Sequence, residues 1–124
     1  MSISSPGGGR VLPDYVSVGA SKAALESLTR YLAIELAPRN ITANAVSPGI
    51  VLTDALQHFD SIRKDAELVE RARSLTPAGR LVTPADVANL VAFLCTPAAE
   101  MIRGQVIVID GGYTLPVPGV AGNP

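Results

Sequence analysis

Two side chains near the start of this sequence have the types and spacing to serve one reaction centre: the phenol of Tyr15 and the ammonium of Lys22. Each residue of a helix turns about 100°, so seven steps bring the second side chain to within about 20° of two full turns. Both then face the same way. A phenol donates one strong hydrogen bond, and a cation beside it favours an oxygen on which negative charge develops. Taken on periodicity alone, a plainer description also holds. Tyr15 is then a half-buried aromatic at a helix start and Lys22 a solvated charge.

The other reactive groups are sparse. Cys95 is the sole cysteine, which excludes an internal disulfide and a zinc cluster. It ends the apolar run VANLVAFLC, where a buried, inert thiol is expected. His58, the sole histidine, has no second His, Cys or paired carboxylate nearby and reads as solvated. Gly7-Gly8-Gly9 neither follows a full strand nor opens a helix, so it is not a dinucleotide fingerprint.

The elements that must position Tyr15 and Lys22 begin with the helix that carries them. Tyr15 to Asn40 reads as one long helix, with Leu25, Leu28, Leu32 and Leu36 along an apolar stripe. Pro13 and Asp14 suit its start, and Pro38 and Asn40 its stop. Ahead of it, residues 1–12 pass from a scrap of strand into a glycine run that, taken alone, looks like a flexible tail. Behind it, Ile41 to Val46 reads as a short strand closed by Ser47-Pro48-Gly49. From Thr53 to Leu75 the chain is polar and mixed in charge, either a lid over a site or a pair of surface helices. Its apolar contacts would be Leu56, Phe59, Ile62, Leu68 and Val69.

Thr83-Pro84-Ala85-Asp86 is a helix start with a capping box, and the helix runs to about Cys95. Gly104 to Gly112 reads as a buried strand ending at a Gly-Gly turn, and the Pro- and Gly-rich last dozen residues as loosely ordered. A helix, a buried strand with a tight exit, a second helix and a second buried strand make the cadence of an α/β fold. This is half of a doubly wound parallel sheet. Parallel strands need neighbours and cover on both faces, so two strands and a fragment expect more protein around them.

Composition narrows the class further. With 48% apolar and 17% charged residues in 124, the chain reads as one globular domain. A net charge of −1 offers no footprint for nucleic acid. No apolar stretch approaches the ~20 residues of a membrane span. No secretory pattern opens the chain, so a cytoplasmic protein is expected.

Four stretches now combine: Ser4-Ser5, the ASKAAL run with Lys22, NAVSPG leading to Thr53, and GQVIVIDGGY. In this order and at these spacings they resemble the C-terminal half of a short-chain dehydrogenase/reductase. That resemblance implies a Rossmann-like domain whose N-terminal dinucleotide-binding half is absent here, with residues 1–124 as the partial domain. The family's usual Tyr-x-x-x-Lys pair would need a tyrosine at position 18, where Val18 stands. The wider step from Tyr15 to Lys22 resembles the branch that reduces enoyl thioesters on acyl carrier protein. DYVSVGASKAALESLTRYLAIELAPRNITANAVS, TDALQHF and TPAGR are similar to its NADPH-dependent third bacterial type. Pro48 departs from that type, which has glycine there, and moves the loop towards the carbonyl-reducing members.

By this resemblance, Tyr15 holds an enolate oxygen and Lys22 anchors the nicotinamide ribose. Ser5 occupies the place of a substrate-orienting serine. Pro48 and Gly49 form a loop against the nicotinamide ring, the Val51 backbone pairs with the carboxamide, and Thr53 adds a hydroxyl contact. Thr53 also suits a helix cap. The implied cofactor is NADPH, with NADH as the alternative. The implied partners are an enoyl thioester of acyl carrier protein or coenzyme A in fatty-acid elongation, and further copies of the chain. With the adenine and pyrophosphate sites in the other half, this chain alone should bind a dinucleotide poorly. A carbonyl or alcohol oxidoreductase, and a non-catalytic remnant that oligomerises, are the competing readings.

Overall fold

The computed structural model describes residues 1–54, 58, 65 and 67–115. Three parallel strands lie in the order β1 (Ser2–Ile3), β2 (Ala45–Pro48) and β3 (Val106–Ile109). Among the described residues, three helices accompany them: α1 (Val16–Glu35), α2 (Leu68–Leu75) and α3 (Pro84–Leu94). The α/β class and the parallel sheet are those expected from the sequence. The expected contacts Leu56, Phe59 and Ile62 lie outside the described residues, whereas Leu68 and Val69 are half-buried on α2.

Register explains how a proline sits in the middle strand. Ala45 pairs with Val106 and Pro48 with Ile109, while on the other side pairing stops at Ile3 opposite Val46. The Ala45 and Gly49 amides donate to Gln105 and Ile109 of the β3 side. By alternation the Pro48 nitrogen faces the β1 side, where the ladder has already ended, so its missing N–H costs no bond. β2 therefore runs from Ala45 through Pro48 rather than from Ile41. Residues 41–44 join it through the buried Asn44, whose amide donates to the Ile102 carbonyl (2.6 Å) and whose oxygen accepts from the Gln105 amide (2.9 Å). One side chain thus bridges the entrances of two neighbouring strands.

On one face of the sheet, Val46, Leu94 and Ala99 form a buried cluster joined by Val87, Leu90, Val91, Ile102, Ile107 and Ile109. Alternation along β2 and β3 presents Val46, Ile107 and Ile109 together to α3. The α3 start is as expected: Thr83 Oγ1 accepts from the Asp86 amide, and the Asp86 carboxylate accepts from the Thr83 amide at 2.8 Å. Arg80 closes on the same carboxylate at 2.6 and 2.9 Å. Replacing Thr83 with Ala removes the cap, and a loss of about 1 kcal/mol is expected in urea unfolding. Unchanged stability would show that Arg80 alone holds the turn.

Three expectations are corrected. The thiol of Cys95 is exposed, because Cys95 lies just past α3 at its C-terminal cap, beyond the face that Leu94 buries. The long helix begins at Val16 and ends at Glu35, with Asp14 in a left-handed conformation (φ 56°) before it. A tight turn at Ala37–Arg39 follows it, and Asn40 (φ 55°) supplies the left-handed stop. The buried stripe of α1 is also not the leucine stripe. Gly19, Thr29 and Ala33 are buried, whereas Leu28 is 55% exposed. Small residues face inward because the chain approaches closely there: a Cβ on Gly104 would lie 3.2 Å from that of Ala33.

Candidate active site

The site is built where β1 ends and α1 begins. After Ile3 the chain turns through Ser4 and Ser5 into a single tight turn, Pro6–Gly8, which lies against α1. The glycine run is therefore ordered rather than a loose tail. Ser5 caps this turn, its hydroxyl accepting from the Gly7 amide at 3.3 Å. The same hydroxyl accepts from the Tyr15 phenol at 3.0 Å. Lys22 donates from Nζ to the Ile3 carbonyl at 2.8 Å, two residues before Ser5. Three residues named from sequence thus converge on one turn.

Glycine permits this convergence. A Cβ on Gly7 would lie 2.5 Å from the Tyr15 ring, and one on Gly19 would lie 2.8 Å from the Gly7 carbonyl oxygen. The Tyr15 ring rests over a bare backbone, and that backbone rests on a bare point of α1. Gly7 enters the sequence argument only within the Gly7–Gly9 run excluded as a dinucleotide fingerprint, and Gly19 does not enter it. The readable signal was Gly19 itself, since glycine inside a helix costs about 1 kcal/mol against alanine and invites a packing reason. A shallow groove of about 420 Å³ runs beside this turn, lined by Gly7, Arg10, Leu12, Tyr15, Gly19 and Ala23 among others.

The strand-exit loop has a different setting. Gly49 donates to the Ile109 carbonyl and packs on Asp110, whose Cβ would lie 2.8 Å from a Cβ added at Gly49. Pro48 ends β2, Val51 makes a single parallel bridge to Val82, and Thr53 is exposed. His58 is exposed too. The glycine at 49 therefore has a packing role of its own, against the turn after β3. In that turn the buried Asp110 accepts from the Gly112 and Thr114 amides, both at 2.8 Å, and from the Thr114 hydroxyl at 2.6 Å. Gly111 and Gly112 take φ values of 65° and 89°, conformations that glycine adopts without a Cβ penalty.

Charge on these carboxylates is tied to folding. Burial opposes the Asp110 charge, but hydrogen bonds from Thr114 and Gly112 outweigh it and hold the carboxyl below its ordinary range. Arg80, followed by Thr83, lowers Asp86 well below that range. A depressed folded-state value contributes stability that is present above the unfolded value, about 3.9, and lost as pH falls below it. Thermal midpoints should hold from pH 7 to about 5 and fall below about pH 4, less steeply in Asp110→Asn. A midpoint that rises on acidification would contradict this.

Among the described residues, no helix is long and apolar enough to cross a membrane. A family model described as Enoyl-(Acyl carrier protein) reductase matches residues 1–114. A tropinone reductase homologue of Arabidopsis thaliana is 46% identical over 97 residues, covering 78% of this chain and 36% of the relative. The 1-cyclohexenylcarbonyl-CoA reductase of Streptomyces collinus is 36% identical over 118 residues, covering 95% and 42%. The solved 3-ketoacyl-(acyl-carrier-protein) reductase of Brucella melitensis, complexed with NADH, superposes with a TM-score of 0.78 at 38% identity, covering 90% and 42%. The chain spans less than half the length of each of these proteins.

Proposed function

Because the chain belongs to the short-chain dehydrogenase/reductase family, we propose that it forms the catalytic part of an NAD(P)H-dependent reductase acting on enoyl thioesters of acyl carrier protein or coenzyme A. The observation that carries this reading is the placement of the phenol. Val18 stands four residues before Lys22, and the aromatic hydroxyl comes instead from Tyr15, bonded to Ser5 at 3.0 Å. The 1-cyclohexenylcarbonyl-CoA reductase among the relatives supports it, with 95% of this chain and 42% of that protein aligned, since a 1-cyclohexenylcarbonyl group is itself a conjugated enoyl group.

NAD(P)H, when bound, supplies a hydride. The donor set here fits its nicotinamide ribose: the Lys22 ammonium carries three N–H donors, of which the Ile3 carbonyl takes one. Pro48, Gly49, Val51 and Thr53, leaving the C-terminal end of β2, would flank the ring. Ligands of open α/β sheets bind at that end. Both nicotinamide cofactors suit these residues, and NADPH is the one this reading takes. In the substrate, reduction at the β-carbon moves negative charge onto the thioester oxygen. The single O–H of Tyr15, given to Ser5 here, turns to that oxygen when substrate is bound, an interaction strongest when the charge is greatest. The Ser5 hydroxyl then donates to the phenol oxygen. Ser5 orients the phenol from behind. The protein would work in the cytoplasm, in fatty-acid elongation.

Residues 1–124 make up one part of such a domain, and the dinucleotide's adenine end would be held outside it. Val16, Tyr31 and Ile34, exposed on α1 at 86%, 67% and 77%, support association with further protein, including other copies. A second reading, carbonyl or alcohol oxidation and reduction, is favoured by Pro48 and by the tropinone reductase homologue. Crotonyl thioester and a simple ketone, each tried with NADPH and NADH on a version joined to a dinucleotide-binding half, separate the two. Turnover of the ketone alone would overturn the enoyl reading.

A further inference from the structure

We propose that Glu26 is a positioning residue for the Tyr15–Ser5 pair, clamping the Pro6–Gly8 turn against α1 through the buried hydroxyl of Ser4. This rests on the reading of Tyr15 and Ser5 as site residues.

The geometry starts from Ser4, which is 3% exposed. Its amide is already committed to the Val46 carbonyl at 2.7 Å, as the last link between β1's end and β2. Its hydroxyl donates to Glu26 Oε1 at 2.5 Å. A buried hydroxyl that loses its acceptor keeps the desolvation penalty, so the contact holds Ser4 in place. Ser5 is the next residue along the chain, and its hydroxyl receives the Tyr15 phenol. The Glu26 carboxylate also fills the space beside Gly8, where an added Cβ would lie 2.7 Å from Oε1.

Tyr15 at the N-cap of α1 and three positions within the helix therefore address residues 3–8: Tyr15 to Ser5, Gly19 to Gly7, Lys22 to Ile3 and Glu26 to Ser4. Steps of four, three and four residues keep them on one helix face. Three of them are read as site or close-packing positions. Among the described residues, the side-chain hydrogen bond to Glu26 comes from Ser4 and not from a residue assigned to cofactor or substrate, yet it fixes the peptide that carries Ser5. Its effect on Tyr15 passes through Ser4 and Ser5.

Amide exchange and nuclear Overhauser spectra of the 124-residue chain test this without any turnover. Failure of the clamp and failure of the reaction reading thus appear in separate experiments. In Glu26→Ala, exchange of the Gly8 and Gly9 amides should quicken about tenfold or more. The contact between the Tyr15 ring and the Gly7 α-protons should weaken. The Leu36 amide at the C-terminal cap of α1 and the Ala45 amide of β2 should keep their rates. Glu26→Gln retains Oε1 as an acceptor and should stay near wild type. Ser4→Ala should reproduce the Ala phenotype, and the Ser4→Ala/Glu26→Ala pair should be no worse than either alone. Unchanged turn amides, equal loosening of Leu36 and Ala45, a Gln variant as damaged as Ala, or additive single variants would each overturn the proposal.

Discussion

Replacing Tyr15 with Phe should lower kcat for enoyl-thioester reduction by about 10²–10³-fold, the usual effect of removing one donor to a developing oxyanion. The substitution deletes a single hydroxyl and keeps the ring that covers Gly7. What is lost structurally includes the bond to Ser5, 3.0 Å long and only partly buried. A hydrogen bond of that kind contributes about 0.5–1.5 kcal/mol to stability, against about 3–4 kcal/mol for a 10²–10³ change in rate. Activity should thus fall far more than the thermal midpoint. KM should move little, because the interaction strengthens only as charge develops. Ser5→Ala should cost less, since it removes the hydroxyl that orients the phenol and leaves the phenol itself. Initial rates of NADPH oxidation with crotonyl thioester, alongside thermal melts, measure both quantities. A Phe variant within threefold of wild type would mean that Tyr15 is only a packing aromatic.

The features legible in the sequence are those written in periodicity and capping. The Thr83–Asp86 box, the β-branched run of β3 and the tight exit at Gly49 follow local rules that no distant contact overrides. Tyr15 and Lys22 were nameable from their types and spacing, and Ser5 through the family resemblance alone. What they touch was not legible. The Ile3 carbonyl, the Gly7 backbone and the Ser4 hydroxyl meet α1 only through the parallel pairing of β1 with β2, a contact between residues more than forty positions apart. The leucine stripe misled for a related reason. Hydrophobic periodicity marks which residues avoid water, whereas the depth at which a helix seats on a neighbour depends on how small its facing residues are. Gly19, Thr29 and Ala33 set that depth here, and the leucines flank it.

Gly19→Ala gives the sharpest test of that close approach, because two magnitudes oppose each other. Alanine in a helix interior is favoured over glycine by about 1 kcal/mol. Against this, the new Cβ would sit 2.8 Å from the Gly7 carbonyl oxygen and 3.6 Å from its carbon. That obstacle is backbone, not the end of a flexible side chain. Gly7 cannot retreat freely, since its amide donates to Ser5 and its other side lies against the Tyr15 ring. Overpacking costs typically about 1–3 kcal/mol, and against backbone the upper part of that range, about 2–3 kcal/mol, applies, so the net expected loss is about 1–2 kcal/mol, roughly 3–10 °C in thermal midpoint. The turn must slide off α1 to relieve the clash, carrying Ser5 with it, so activity should fall beyond what the lost stability explains. Gly9→Ala is the control: nothing lies within 4 Å of its added Cβ. Its φ of −120° is open to any residue, and it should be neutral or slightly stabilising. If Gly19→Ala instead matches Gly9→Ala in melting and in rate, helix propensity has prevailed. The seat of the turn on α1 is then not what sets Ser5 beneath the phenol.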